Sequence, residues 1–304
     1  MVSQPKNHVP VLLSETLEYL KIRSNSVIVD CTLGLGGHSM GILHSNDTVK
    51  VIGIDQDASN LKEAKERLKP YGDRVSLHHR NFEELYSVIE EEGLVGRIDG
   101  ILLDLGICST HIDNPERGFS FRQEGPLDMR FDRTKDFTAA DIIREYSAEK
   151  LQETFSKYGE EQESKTVAEA IVEARKKTDI QTTTQLIEII ENAKRFRKPG
   201  KSAGTNVFQA LRIEVNQEFR VLEKALEDAI KILAPGGRIV VIAYHSLEDR
   251  IVKLCFKKYE AKGKKDDEWK LVKFIVKTPL KPTEEEVQSN PRSRSAMMRV
   301  VERV

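Results

Sequence analysis

Three glycines within four residues, Gly34, Gly36 and Gly37, follow an acid, Asp30, that closes the β-branched run Val27-Ile28-Val29. Glycine lets main chain adopt conformations closed to other residues and approach a ligand closely. His38-Ser39-Met40-Gly41-Ile42-Leu43 then opens a helix whose free N–H groups would face the loop. Asp55 ends the run Val49–Ile54, about 20 residues beyond the loop, where nucleotide-binding folds hold a ribose hydroxyl pair. Asp104 ends a further apolar run, Ile98–Leu103, and Leu105-Gly106 follow it. Ligands bind at the carboxyl ends of parallel strands, so these acids around a glycine loop outline a nucleotide-type pocket, with Asp104 the candidate for chemistry. The loop by itself suits NAD, FAD or an adenosyl cofactor alike. A ligand-free strand–helix turn would give the same glycines, and a strand-end acid can serve only as a cap. Phe82 stands where a loop tip could stack on adenine, or where a core aromatic would sit.

The elements that must position these groups alternate at first. Strands at 27–30, 49–54, 75–80 and 98–104 are separated by helices, including a charged amphipathic one over Asp57–Lys69 stopped by Pro70-Tyr71-Gly72. His78 and His79 have no partner at metal-ligand spacing and read as strand residues. Ile107-Cys108-Ser109-Thr110-His111 is small and polar, as a loop beside a ligand should be. The rhythm then stops. Between Asp113 and Pro126, Phe119 and Phe121 sit between Arg117 and Arg122, a pattern that can hold phosphates and stack bases or can simply fill a core. Helices over Ala139–Tyr146, Ala148–Tyr158, Ser164–Lys176 and Thr183–Ala193 follow, the last capped by Thr182 or Thr183. The expected organisation is a discontinuous domain, 1–112 and 207–304, with a helical insertion over 113–206. The insertion ends in a basic loop, Arg195-Phe196-Arg197-Lys198-Pro199-Gly200-Lys201, either solvated surface or a phosphate contact.

A long amphipathic helix is expected from Phe208 to Leu233, stopped by Ala234-Pro235-Gly236-Gly237. A fifth strand, Arg238–Tyr244, leads into a helix opened by His245-Ser246-Leu247-Glu248-Asp249-Arg250. Trp269–Thr278 and Ser295–Val304 read as two closing strands. A dinucleotide fold would repeat its mononucleotide half, and no second glycine fingerprint is present, which favours a methyltransferase over a dehydrogenase.

Composition narrows the class further. The chain has 304 residues, 39% hydrophobic and 32% charged, with a formal net charge of −1. No global field draws it to nucleic acid, so any such binding must use local basic patches. Cys31, Cys108 and Cys255 are odd in number and widely spaced, which indicates neither a disulfide framework nor a zinc site and fits reduced thiols. No signal-peptide pattern and no apolar run of membrane-spanning length is found, so the expected setting is cytoplasmic, without a membrane.

Several blocks are specific. His8-Val9-Pro10-Val11-Leu12-Leu13, Gly36-Gly37-His38-Ser39, Asp104-Leu105-Gly106, Arg117-Gly118-Phe119-Ser120-Phe121 and Gly125-Pro126-Leu127-Asp128-Met129-Arg130 are among them. So are Tyr158-Gly159-Glu160-Glu161, Phe208–Ile213, His245–Arg250 and Asn290–Ala296. Over nearly the whole chain these resemble the bacterial 16S ribosomal RNA cytosine-N4 methyltransferase family, called RsmH or MraW. The resemblance implies an α/β class I S-adenosylmethionine-dependent, Rossmann-like methyltransferase fold with an inserted helical subdomain. It implies 16S rRNA of the small ribosomal subunit as partner and a decoding-centre cytidine as substrate. It places cofactor contacts on Gly36, Gly37, His38, Asp55, Phe82, Asp104 and His111. Cys31-Thr32-Leu33 and His111 depart from the usual residues of relatives, glutamine being common in the place of His111. An assembly factor that kept the fold without catalysis is the alternative from another class.

The exocyclic amine of cytosine is a poor nucleophile because its lone pair is delocalised. A site must accept its N–H bonds, aim the lone pair and take up a proton. Asp104 is the candidate acceptor. No metal is required, because a thioether leaves without a Lewis acid, and the base must leave its stack to reach the pocket.

Overall fold

The computed structural model describes residues 10–195, 202–261 and 271–304. The chain divides into two units, Met1–Gly106 with Phe219–Val304, and Ile107–Glu218.

The first unit is built on one sheet. Its strands are β1 (Val27–Asp30), β2 (Lys50–Asp55), β3 (Val75–His79), β4 (Ile98–Asp104), β5 (Leu233–Ala243), β6 (Val272–Phe274) and β7 (Met297–Arg303). The order is β3-β2-β1-β4-β5-β7-β6. The first five strands pair in parallel, while β7 runs antiparallel to both β5 and β6. A strand inserted antiparallel between the fifth and sixth, in place of a second mononucleotide half, is the class I methyltransferase arrangement.

The central strands read as continuous apolar runs because both of their faces are covered. Alternate residues serve opposite cores. Ile28, Val51, Leu102 and Val240 pack with Leu20, Ile42, Leu43 and Leu68. Val29, Ile52, Ile101, Leu103 and Val241 pack with Leu85, Ile89, Leu226 and Phe256. Strand order reverses between β1 and β4, so the crevice beyond Asp30 and Asp104 is the topological switch point where such sheets bind ligands.

The second unit is helical: Ala139–Glu145, Ala148–Gly159, Ser164–Arg175, Thr183–Ala193 and Thr205–Asn216. Thr138, Ser147 and Thr182 cap the first, second and fourth of these with side-chain oxygens. Their apolar faces close over Leu127, Met129, Phe155, Ile171, Leu186 and Leu211.

Four expectations change. The inserted unit starts at Ile107 and ends at Glu218, beyond the expected 113–206, because Ile107 and the helix Thr205–Asn216 pack into its core. The long helix expected from Phe208 is two, Thr205–Asn216 and Glu218–Ile232. Gln217 adopts φ 50° between them. There Asn216 ends the first helix: its side-chain amide donates to the Met129 carbonyl and its oxygen accepts the Phe131 N–H, both at 2.8 Å. Strand β5 begins at Leu233, which pairs with Ile98; the chain then bulges through the Pro-Gly-Gly segment before register resumes at Arg238 opposite Gly100. The closing strands are shorter than expected, and Trp269 lies outside the described residues.

Candidate active site

Strand β1 delivers Asp30 to the carboxyl edge, where it is 1% exposed. Its carboxylate accepts the Thr32 N–H at 3.2 Å and the Ser39 hydroxyl at 2.8 Å, tying the glycine turn to the helix Gly37–Ser45. Burial raises its pKa, against the opposing pull of His38. Gly34 and Gly36 have φ of 52° and 78°, so the turn requires residues without a Cβ. At Gly37 the requirement is space: a Cβ there would lie 2.8 Å from Cγ of Pro10. Pro10 thus packs on the turn; His8 and Val9 lie outside the described residues.

Asp55, at the end of β2, accepts the N–H groups of Gly34 and Asp57, each at 2.7 Å. Burial pushes its carboxyl up to about 7 in spite of these donors. Phe82 is half-buried and packs at the margin of the core, one residue after Asn81, whose amide donates to the Gln56 side chain at 2.8 Å.

Asp104 ends β4. Its backbone N–H donates to the Thr32 hydroxyl at 2.7 Å. Oδ1 accepts the Tyr244 hydroxyl at 2.8 Å, and Oδ2 lies 3.6 Å from Nδ1 of His38, with the carboxyl side chain 22% exposed. Burial raises the Asp104 pKa, while His38 and the Tyr244 hydrogen bond pull the other way. The Tyr244 phenol is itself raised, first by burial and then by the Asp104 charge. The other nitrogen of His38, Nε2, donates to the Val11 carbonyl at 2.9 Å.

Six of the seven candidate residues, Gly36, Gly37, His38, Asp55, Phe82 and Asp104, therefore belong to the carboxyl edge of one sheet. His111 belongs to the helical unit. There it is 4% exposed in the helix Ser109–Asp113, where a loop was expected, and stacks 5.0 Å from Phe119 and 5.2 Å from Phe131. Tyr244 was missed because it follows a strand far along the sequence; only the pairing of Asp104 with Ile242 brings it across.

Other candidates resolve into structure. Arg117 is 5% exposed and donates to the carbonyls of Arg130 and Phe131 at 2.8 and 3.0 Å. Phe119 is 9% exposed, and Phe121 meets Phe208 edge-on at 4.7 Å. The aromatic and basic loop thus fills the helical core and does not present these rings for stacking; Arg122 alone of the four is exposed. Gly118 and Gly125 are obligatory there, since a Cβ would fall 2.1 Å and 1.9 Å from the carbonyl oxygens of Pro126 and Pro115. His245 caps the helix Ser246–Lys258: Nδ1 accepts the Glu248 N–H at 3.3 Å, and Glu248 accepts the Tyr244 N–H at 2.8 Å. His78 does meet an acid, Glu92, at 2.8 Å. Among the described residues, no group of three or more His, Cys, Asp or Glu is placed to hold a metal ion, and no helix is long and apolar enough to cross a membrane. Of the basic loop only Arg195 is described; it is exposed, and Phe196, Arg197, Lys198, Pro199, Gly200 and Lys201 lie outside the described residues.

The edge suits an adenosyl cofactor. A turn without side chains leaves room for close approach, and a two-oxygen acceptor at Asp55 has a second lone pair on each oxygen for ribose hydroxyls.

Comparison with known proteins agrees. The model of the MraW methylase family matches residues 5–304. Ribosomal RNA small subunit methyltransferase H of Halothermothrix orenii is 44% identical, over 98% of this chain and 98% of that one. The protein of the same name from Clostridium botulinum is 44% identical over 98% and 99%. That from Carboxydothermus hydrogenoformans is 44% identical over 98% of each chain. With a match that runs almost from end to end and a sheet of the methyltransferase order, this chain belongs to the MraW methylase family.

Proposed function

We propose that the protein is an S-adenosylmethionine-dependent methyltransferase of the small ribosomal subunit, acting in the cytoplasm on N4 of a decoding-centre cytidine in 16S rRNA. The observation that carries the reading is the switch-point edge, where a strand-end carboxylate, Asp104, stands beside a glycine turn in a chain of a methylase family. Relatives named for ribosomal RNA small subunit methylation support the substrate.

Gly36 and Gly37 would admit the cofactor's main-chain contacts, Asp55 its ribose, and Phe82 its adenine face. S-adenosylmethionine, when bound, supplies a methyl group on a positively charged sulfur. Asp104 accepts an N–H of the cytosine amine, which turns the nitrogen lone pair toward the cofactor and readies the carboxylate to receive a proton. The Tyr244 phenol holds that carboxylate in one orientation, and the Thr32 hydroxyl accepts the backbone N–H of the same residue. The helical unit, 107–218, is the RNA-recognition subdomain in this reading, with the basic loop 195–201 as its phosphate contact.

Mass mapping of small subunits treated with the enzyme and isotope-labelled S-adenosylmethionine tests it. One label on one decoding-centre cytidine at N4 is expected. Label on another base, or on protein, would overturn the substrate. Labelling absent at saturating cofactor, with subunit binding intact, would favour the assembly-factor alternative.

A further inference from the structure

We propose that His38 is the proton acceptor behind Asp104, and that Tyr244 is the positioning residue that sets the carboxylate between them; this rests on the reading of Asp104 given above. A carbonyl oxygen only accepts, so the 2.9 Å contact with Val11 fixes the proton of the neutral ring on Nε2. Nδ1 therefore carries its lone pair toward Asp104 Oδ2, 3.6 Å away. Such acid–base contacts tighten when substrate arrives. Tyr244 occupies Oδ1 at 2.8 Å, which leaves Oδ2 as the oxygen nearer the ring.

The neighbouring acids are already committed. Both oxygens of Asp30 are bonded, to the Thr32 N–H and the Ser39 hydroxyl. Glu248 accepts the N–H groups of Tyr244 and His245 through Oε2, and its Oε1 lies 3.1 Å from the His245 ring. Glu286, the next charge bearing on Tyr244, accepts the N–H of Leu12 at 2.7 Å. The charged groups facing the pair are thus Asp30 from β1, Glu248 from the helix Ser246–Lys258 and Glu286 from the helix Glu284–Ser289, with Tyr244 beyond β5.

The step balances. The N4 lone pair becomes the new C–N bond, and the electron pair of the broken C–S bond stays on sulfur. N4 then bears a positive charge, which it loses as one N4 proton passes to Asp104 Oδ2 and on to His38 Nδ1. An imidazolium beside a carboxylate remains, and it returns its proton to water after product leaves. A ring whose Nε2–H is tied to main chain, on the second residue of a helix, is rigid enough to receive that proton at one atom.

Two measurements test this. Nitrogen NMR of the 15N-histidine-labelled protein without cofactor, assigned with His38→Gln, should show His38 as the Nε2–H tautomer, with Nδ1 bare. An Nδ1–H tautomer would overturn the proposal. Single-turnover methylation supplies the second. Gln can still donate to Val11 but cannot take up a proton, so His38→Gln should lose about 10²-fold in rate and keep the acidic limb that Asp104 sets. Tyr244→Phe removes a donor that favours the carboxylate, so its acidic limb should move to higher pH with KM for the subunit unchanged. If Asp104→Asn is slow while His38→Gln keeps the wild-type rate, His38 is refuted and Asp104 stands. If Asp104→Asn is itself as fast as wild type, the reading of Asp104 falls and this inference with it.

Discussion

Replacing Asp55 by alanine isolates the ribose contact more cleanly than asparagine would. Each carboxylate oxygen already accepts one backbone N–H, from Gly34 and from Asp57. Asparagine would turn an NH2 group against one of those donors and so disturb the turn itself. Alanine removes both acceptors, and the small gap can admit water to the two N–H groups. What the cofactor loses is a charge-assisted bond, about 1.5–3 kcal/mol, or roughly a 13- to 160-fold rise in Kd. The carboxyl, pushed up to about 7, adds a pH signature. Hydroxyls donate to the ionised form, so binding favours proton release. Wild-type affinity should therefore weaken about tenfold between pH 8 and pH 6, and the variant's should be flat in this respect. For the unliganded protein the sign is opposite. A raised folded-state pKa leaves stability full below pH 3.8 and withdraws it as pH rises toward 7, a loss the alanine variant lacks. Titration calorimetry with S-adenosylmethionine at pH 6, 7 and 8 measures both effects. Unchanged affinity at pH 8 would remove Asp55 from the site; a wild-type Kd that does not vary with pH would refute the protonation argument alone.

Asp104→Asn keeps an oxygen for the Tyr244 hydroxyl but cannot receive a proton, so single turnover at saturating cofactor and subunit should slow by about 10²–10⁴; near-wild-type rate would return Asp104 to a capping role. Joint neutralisation of Arg195, Arg197, Lys198 and Lys201 should weaken subunit binding and flatten its dependence on salt, and an unchanged slope would make the loop plain solvated surface. Arg117→Met strands the carbonyls of Arg130 and Phe131 that the guanidinium now satisfies, so urea denaturation should show about 2–4 kcal/mol of lost stability. Full stability with weakened RNA binding would restore the surface reading of the Arg117–Arg122 loop.

Much was legible in order along the chain. The strands β1 to β4 and the helix Thr183–Ala193 were readable because a run buried on both faces is continuously apolar and a helix between caps keeps its period. The glycine turn and its acids were readable because a tight turn beside a ligand permits few residue types. What sequence could not decide is whatever depends on partners far apart. Whether Arg117 and Phe119 face solvent or core is set by Gly118 and Gly125, whose missing side chains let the loop close on Pro126 and Pro115. The break at Gln217 follows from Asn216 bonding to residues more than eighty positions earlier. The pairing of Tyr244 with Asp104 spans 140 residues and exists because β4 and β5 lie side by side in register. Sequence names the groups that can take a proton; the sheet determines which of them meet, because neighbours in a parallel sheet are set by crossover connections and not by distance along the chain.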